Sequence, residues 1–239
     1  MEYRQLLKEG ASQLNIDLSD AQINKFLIFK NVLIEWNKKM NLTAIEDEGE
    51  IIVKHFLDSI SCMTTNIFKP RCKVIDVGTG AGFPGIPLKL VDDTIEMTLL
   101  DSLNKRLIFL DEVISQLKIN NITTVHSRAE DLGSNKEYRE KFDVSISRAV
   151  ANLSILAEYC LPFVKVGGFF VSMKGPNMKE EMIGAENAIH ILGGELTDIK
   201  TVVLPYTQIE HSIIIIKKAR QCPTKYPRKA GKPSKEPLK

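Results

Sequence analysis

The chain has 239 residues, a formal net charge of +2, 44% hydrophobic and 26% charged residues. That composition suits one large globular domain or a domain plus a smaller appendage, and it excludes a collagen-like or wholly disordered chain. No apolar run reaches the length of a membrane span, and the opening MEYRQLLKEG lacks the apolar core of an export signal, so a cytoplasmic protein without membrane contact is expected.

Residues 1–68 read as a helical segment. Ser19 and Gln22 form a capping box ahead of an apolar run, and Phe26, Phe29, Leu33, Trp36 and Met40 then recur on one helical face. Asn41-Leu42-Thr43 breaks that helix. A second is expected from Glu48 to Met63, with Ile52, Phe56, Ile60 and Met63 facing inward. It carries His55 three residues before Asp58. A lone helical histidine is more often structural than catalytic, and His55 is kept as a substrate-positioning candidate only.

Residues 69–219 alternate strands and helices. Strands are expected at Lys73–Gly78, Glu96–Asp101, Ile122–Ser127, Phe142–Ser147 and Gly168–Lys174. Helices are expected at Pro84–Val91, Asn104–Ile119, Asn152–Val164 and Met178–Leu192. Such alternation predicts an α/β fold, a mostly parallel sheet with helices on both faces. Lys200–Pro205 and His211–Lys218 are too close for a parallel crossover and should pair as an antiparallel hairpin. A sheet finishing on a reversed strand points to the Rossmann-like class I methyltransferase arrangement.

The most informative stretch is VIDVGTGAGFPGIPL at 74–88. Glycine tolerates positive φ and lets backbone approach a ligand closely. A helix starting near Pro84 would aim free N–H groups at that ligand. Gly80, Gly82 and Gly85 fit the G-x-G-x-x-G spacing of dinucleotide sites. Asp76, Gly78, Gly80 and Gly82 fit instead D-x-G-x-G-x-G, the first motif of S-adenosylmethionine-dependent methyltransferases, with Asp76 near the methionyl ammonium. Asp101, ending the second strand, either takes the ribose hydroxyls or caps the following helix. In the loop after the third strand, Glu130 offers a carboxylate to an adenine amino group and Ala129 its backbone to the ring. Arg148 and Lys174 end the fourth and fifth strands on the rim where parallel sheets bind ligands, Arg148 for a carboxylate or phosphate and Lys174 as a substrate-positioning candidate. The Asn/Asp-Pro-Pro-aromatic motif of many amino-group methyltransferases is absent. Cys62, Cys72, Cys160 and Cys222 form no C-x-x-C pair, so neither a metal site nor a disulfide is expected.

Residues 220–239 carry seven basic residues against Glu236, a net of +6 that leaves −4 on residues 1–219. The segment is proline-rich and poor in apolar residues. It reads as a flexible basic tail that adds no core, touches a polyanion and is dispensable for the fold and for cofactor binding.

The sequence resembles the RsmG family, also called GidB, guanine-N7 methyltransferases of small-subunit (16S) ribosomal RNA. The resemblance runs nearly end to end, on EWNKKMNLTAI at 35–45, HFLDSI at 55–60, DVGTGAGFPGIPL at 76–88, LLDSLNKRLIFL at 99–110, SRAE at 127–130, ISRAVANL at 146–153 and KYPRKAGKP at 225–233. It implies S-adenosylmethionine contacts at Gly78, Phe83, Ala129, Glu130 and Arg148, and a methyl acceptor in 16S ribosomal RNA or the small subunit. A monomer without metal or essential general base is expected. An NAD(P)-dependent oxidoreductase and a non-catalytic RNA-binding module are the competing readings of the residues alone.

Overall fold

Seven strands form one sheet in the order β3-β2-β1-β4-β5-β7-β6, in a computed structural model that describes residues 2–148, 151–176 and 178–238. Ala149 and Val150 of the ISRAVANL motif, and Lys239 of the tail, lie outside the described residues. The strands are β1 (Lys73–Val77), β2 (Glu96–Asp101), β3 (Ile122–His126), β4 (Phe142–Ser147), β5 (Val164–Lys174), β6 (Gly194–Val203) and β7 (Glu210–Lys218). Strands β1 to β5 pair in parallel, whereas β7 runs antiparallel to both β5 and β6. The expected sheet with one reversed strand is what forms. The hairpin turns back between β5 and β6, so β6 becomes the edge.

Two strands begin earlier than the sequence pattern suggests. β5 starts at Val164 instead of Gly168, and β6 at Gly194 instead of Lys200. The added residues of β6 are mostly exposed. An edge strand faces water along one side and needs no apolar run, so its sequence carries little signal.

Side chains alternate across the sheet. Val74, Leu99, Ile146 and Ile213 join a core with the N-terminal helices and the helices following β1 and β2. Ile75, Leu100, Phe170 and Ile214 join a second core with the helices Leu153–Cys160 and Lys179–Ile191. Period-two alternation in strands covered on both faces forces this division. Leu7, Phe26, Phe29 and Phe56 of the N-terminal helices share the first core with the sheet.

The Ser19–Gln22 capping box is formed, and the helix Asp20–Met40 stops at Asn41 in a left-handed conformation. Beyond it, 48–65 is helical but not uniformly α: Ile51–Leu57 is wound as a π-helix and Ser61–Thr65 as a 3₁₀ turn. His55 sits in the widened stretch, a deformation that recurs at functional sites.

The C-terminal segment departs furthest from expectation. Cys222 and Tyr226 are buried and belong to the second core. Arg228 makes a bidentate pair with Glu158, whose carboxylate is fully buried, Nε to Oε1 at 2.9 Å and Nη2 to Oε2 at 2.6 Å. Arg139 donates to the carbonyls of Cys222 and Tyr226, each at 2.7 Å. The segment is therefore docked structure, not a coreless tail. Composition underestimated it because its anchors are hydrogen bonds and one ion pair supplied by partners some seventy or more residues away.

Candidate active site

The carboxyl ends of β1 to β4 open into a cleft of about 380 Å³ at the point where strand order reverses between β1 and β4. That crevice is where open α/β sheets bind ligands. Among the described residues its walls include Gly78, Asp101, Ala129 and Glu130, four of the expected cofactor contacts.

The glycine loop divides into residues that border open space and residues packed against the fold. Gly78 has φ +74°, and a Cβ built there would meet no atom within 4 Å. Its backbone borders open space that a ligand can fill. Gly80, at φ +60°, is similarly open, although it does not line the cleft among the described residues. Gly82 differs: a Cβ would lie 2.7 Å from Ile86 Cδ1 and 2.9 Å from Leu110 Cδ2. Its place in the motif is a packing requirement, and it makes no wall of the cleft.

Asp76 is fully buried beneath the loop. Its Oδ2 accepts from Thr79 Oγ1 at 2.7 Å and from the Gly85 N–H at 2.9 Å, while Oδ1 has no hydrogen-bond partner. Burial pushes the carboxyl up to about 6, opposed by those two hydrogen bonds. The first N–H of the helix Gly85–Val91 is thus taken by the protein's own carboxylate and is not presented to a ligand. Asp76 braces the loop from below instead of projecting into the cleft.

Asp101 lines the cleft and braces the glycine loop, while the helix Asn104–Leu117 has no side-chain cap. Asp101 is 2% exposed; Oδ2 accepts from the Gly80 N–H at 2.9 Å and Oδ1 from the Leu103 N–H at 2.9 Å. Arg106 adds a 3.2 Å ion pair. It ties the glycine loop to the start of the helix Asn104–Leu117 and still faces the cleft, where a ribose would find its remaining lone pairs.

Phe83, His55 and Arg148 form a stack outside the cleft lining. The His55 ring lies 4.6 Å from Phe83, and the Arg148 guanidinium sits over the same ring at 4.9 Å. Arg148 Nη1 pairs with Asp58 Oδ2 at 2.8 Å, and Asp58 Oδ1 meets His211 Nδ1 at 2.6 Å. Arg148 Nη2 donates to His55 Nδ1 at 3.2 Å, which assigns the imidazole proton to Nε2, 2.7 Å from Thr43 Oγ1. Burial, with help from the Arg148 charge, lowers the His55 pKa to about 4. For Asp58 the main influence is burial, which raises its pKa, but the His211 hydrogen bond and the Arg148 charge prevail and hold it below the usual carboxylate range. The sequence paired His55 with Asp58 and placed Arg148 on the rim; His211, from β7, carried no local signal.

Lys174 does not face the cleft either. Its ammonium contacts the Ala151 carbonyl and Glu181 Oε1, the latter at 2.7 Å, and Glu181 also accepts from the Leu153 N–H. It ties Ala151 to Glu181 at the start of the helix Leu153–Cys160. The cleft gains instead Arg106, Tyr159, Gly231 and Ser234, none foreseen as site residues. Arg106 lay within the LLDSLNKRLIFL motif and Gly231 within KYPRKAGKP, but neither was read as a site residue, and the C-terminal segment was read as a polyanion arm.

A family model described as GidB, rRNA small subunit methyltransferase G, matches residues 22–211. The chain belongs to this family. It is 58% identical over 239 residues to the ribosomal RNA small subunit methyltransferase G of Alkaliphilus oremlandii, covering 100% of both chains. It is 57% identical over 238 residues to that of Acetivibrio thermocellus, covering 100% of this chain and 98% of the other. Among solved structures, M. jannaschii TYW2 in complex with AdoMet aligns with a TM-score of 0.52 at 15% identity, over 67% of this chain and 76% of that one. A 16S rRNA (adenine(1408)-N(1))-methyltransferase from Catenulisporales acidiphilia with SAM aligns with a TM-score of 0.52 at 13% identity, over 64% and 87%. These two likenesses establish the class I fold. Membership of the GidB family makes the chain an rRNA methyltransferase with S-adenosylmethionine as methyl donor, and sets aside the oxidoreductase and non-catalytic readings.

Proposed function

We propose that this protein methylates N7 of a guanine in 16S ribosomal RNA, with S-adenosylmethionine held in the β1–β4 cleft. The carrying observation is the open glycine cradle at Gly78 beside Asp101, Ala129 and Glu130, at the strand ends of a chain of this family. The cradle fits the cofactor: Gly78 leaves room for backbone contact, Asp101 offers oxygen to ribose, and Ala129 and Glu130 stand where an adenine would lie. When bound, S-adenosylmethionine supplies an electrophilic methyl on a sulfonium.

Guanine N7 has an in-plane lone pair and no proton to lose. The chain's residues then need only orient the base, exclude water and accommodate the shift of positive charge. The site agrees with that economy. Asp101 is committed to the loop and Glu130 accepts from the Gly231 N–H at 2.8 Å. His55 is held neutral between Thr43 and Arg148. Because N7 lies in the deep major groove of A-form RNA, the target base must be unpaired or extruded. The exposed Lys225, Lys229, Lys232 and Lys235 lie on the segment beside the cleft and provide phosphate contacts. Within that reading the enzyme acts as a cytoplasmic monomer without a metal; none of the helices among the described residues is long and apolar enough to cross a membrane.

The test is transfer of labelled methyl from S-adenosylmethionine to small-subunit RNA, followed by mapping of the modified base. Label at guanine N7 supports the reading. Label on an exocyclic amine or ribose, or none on RNA or assembled subunits, overturns it.

A further inference from the structure

Three carboxylates on the domain reach out to the C-terminal segment: Glu140 accepts from the Cys222 N–H at 2.8 Å, and the other two hold residues 228–231. Glu158, on the helix Leu153–Cys160, accepts from the Arg228 backbone N–H at 2.8 Å as well as from its guanidinium. Glu130, at the end of β3's loop, accepts from the Gly231 N–H at 2.8 Å. Between these pins the chain turns at Gly231, φ +80°, into the short helix Lys232–Lys235. Ser234 Oγ donates to the Gly231 carbonyl at 3.0 Å. Tyr159, Gly231 and Ser234 all line the same cleft as Gly78, Asp101 and Glu130.

We propose that residues 228–234 are part of the cofactor site: a strap, pinned by Glu158 and Glu130, whose Gly231–Ser234 turn and Tyr159 wall the adenosine end of the cleft. The inference rests on S-adenosylmethionine as the ligand of this cleft. It follows from position. The strap is hydrogen-bonded to Glu130, the carboxylate read as the adenine acceptor, and its Gly231 and Ser234 line the same cleft as Gly78. Without the strap, the adenosine end would open to solvent. With it, the base is enclosed between strand ends and a turn held by a buried ion pair, and release of the nucleoside requires that turn to yield.

Ser234→Trp tests this without replacing either pin, because Ser234 is an exposed residue that lines the cleft. The bulky ring should enter the cleft and weaken S-adenosylhomocysteine binding, measured by calorimetry, about tenfold or more with the melting temperature unchanged. Wild-type affinity in a folded Ser234→Trp protein overturns the proposal. A second measurement uses the unmodified protein. Amide exchange of a peptide spanning residues 226–236 should slow when S-adenosylhomocysteine binds, and exchange unaffected by saturating ligand overturns the proposal independently. Both experiments read ligand binding alone. A protein that passes them but methylates no RNA leaves the strap standing and removes the rRNA reading; methylation of RNA with both experiments negative does the reverse.

Discussion

Replacing Asp101 by alanine separates loop bracing from cofactor contact. The buried carboxylate receives the Gly80 and Leu103 N–H groups, each at 2.9 Å, and Arg106 at 3.2 Å. The two backbone donors lose a charged acceptor, each such bond being worth about 1.5–3 kcal/mol before water recovers part of it. The Arg106 side chain is 38% exposed, so its pair adds little. The net expectation is a loss of about 2–4 kcal/mol. In a chain of this length that lowers the melting temperature by roughly 5–15 °C without any ligand. S-adenosylhomocysteine binding should also weaken by about 10- to 100-fold, the equivalent of one or two ribose hydrogen bonds. Asp101→Asn, which keeps one acceptor oxygen, should fall between wild type and alanine in both assays. An unchanged melting temperature would refute the bracing role. A lowered melting temperature with unchanged affinity would refute the ribose contact and leave Asp101 a tie between loop and helix.

Other expectations follow from the same geometry. Gly78→Ala should cost only the strain of a left-handed residue, about 1–2 kcal/mol, yet abolish detectable S-adenosylhomocysteine binding, whereas Gly82→Ala should destabilise the protein by more through its clash with Ile86 and Leu110; equal melting temperatures for the two variants would contradict this division of the glycines. Arg228→Met should lower stability by about 3–5 kcal/mol in denaturant titration, because the fully buried Glu158 is left charged and unpaired, and adding Glu158→Gln should restore part of it; no restoration would show the pair is not the anchor. His55→Gln should retain measurable single-turnover methyl transfer, and the log of the wild-type rate should stay nearly flat from about pH 6 to 8.5, since a histidine titrating near pH 4 is already neutral there. A tenfold rise per pH unit across that range, lost in His55→Gln, would mean an acceptor that must lose a proton. Because the folded pKa lies below the free value of 6.5, the unfolded chain binds more protons between those values. The stabilisation from a neutral His55 is complete above pH 6.5 and is lost as pH falls toward 4, up to about 3 kcal/mol. Asp76, raised to about 6, acts with the opposite sign in an overlapping window, so the difference between wild type and His55→Gln isolates the histidine; identical acid unfolding curves would refute its burial as a neutral base.

What the sequence determined by itself was whatever is written in neighbouring residues. The capping box at Ser19, the apolar runs of β1, β2 and β4, the glycine loop and the short gap that forces a hairpin are local signals, and the sheet and its cleft follow from them. Asp101 was placed at the cleft for the same reason, since a residue ending a strand in a parallel sheet stands on the ligand rim, and Glu130 because it follows the third strand there. What only the tertiary structure decided is how polar side chains divide between ligand and scaffold. Asp76 and Gly82 carry the motif as faithfully as Gly78 does, but one lies under the loop and the other against Ile86 and Leu110. Lys174 ends its strand on the rim, yet Glu181 and the Ala151 carbonyl hold its ammonium. The C-terminal segment has the composition of a free arm, but Glu158 and Glu130 fix it across the cleft. Those outcomes depend on partners brought together by the fold, and a buried charge takes the nearest complementary group wherever the chain supplies it, which neither spacing nor composition encodes.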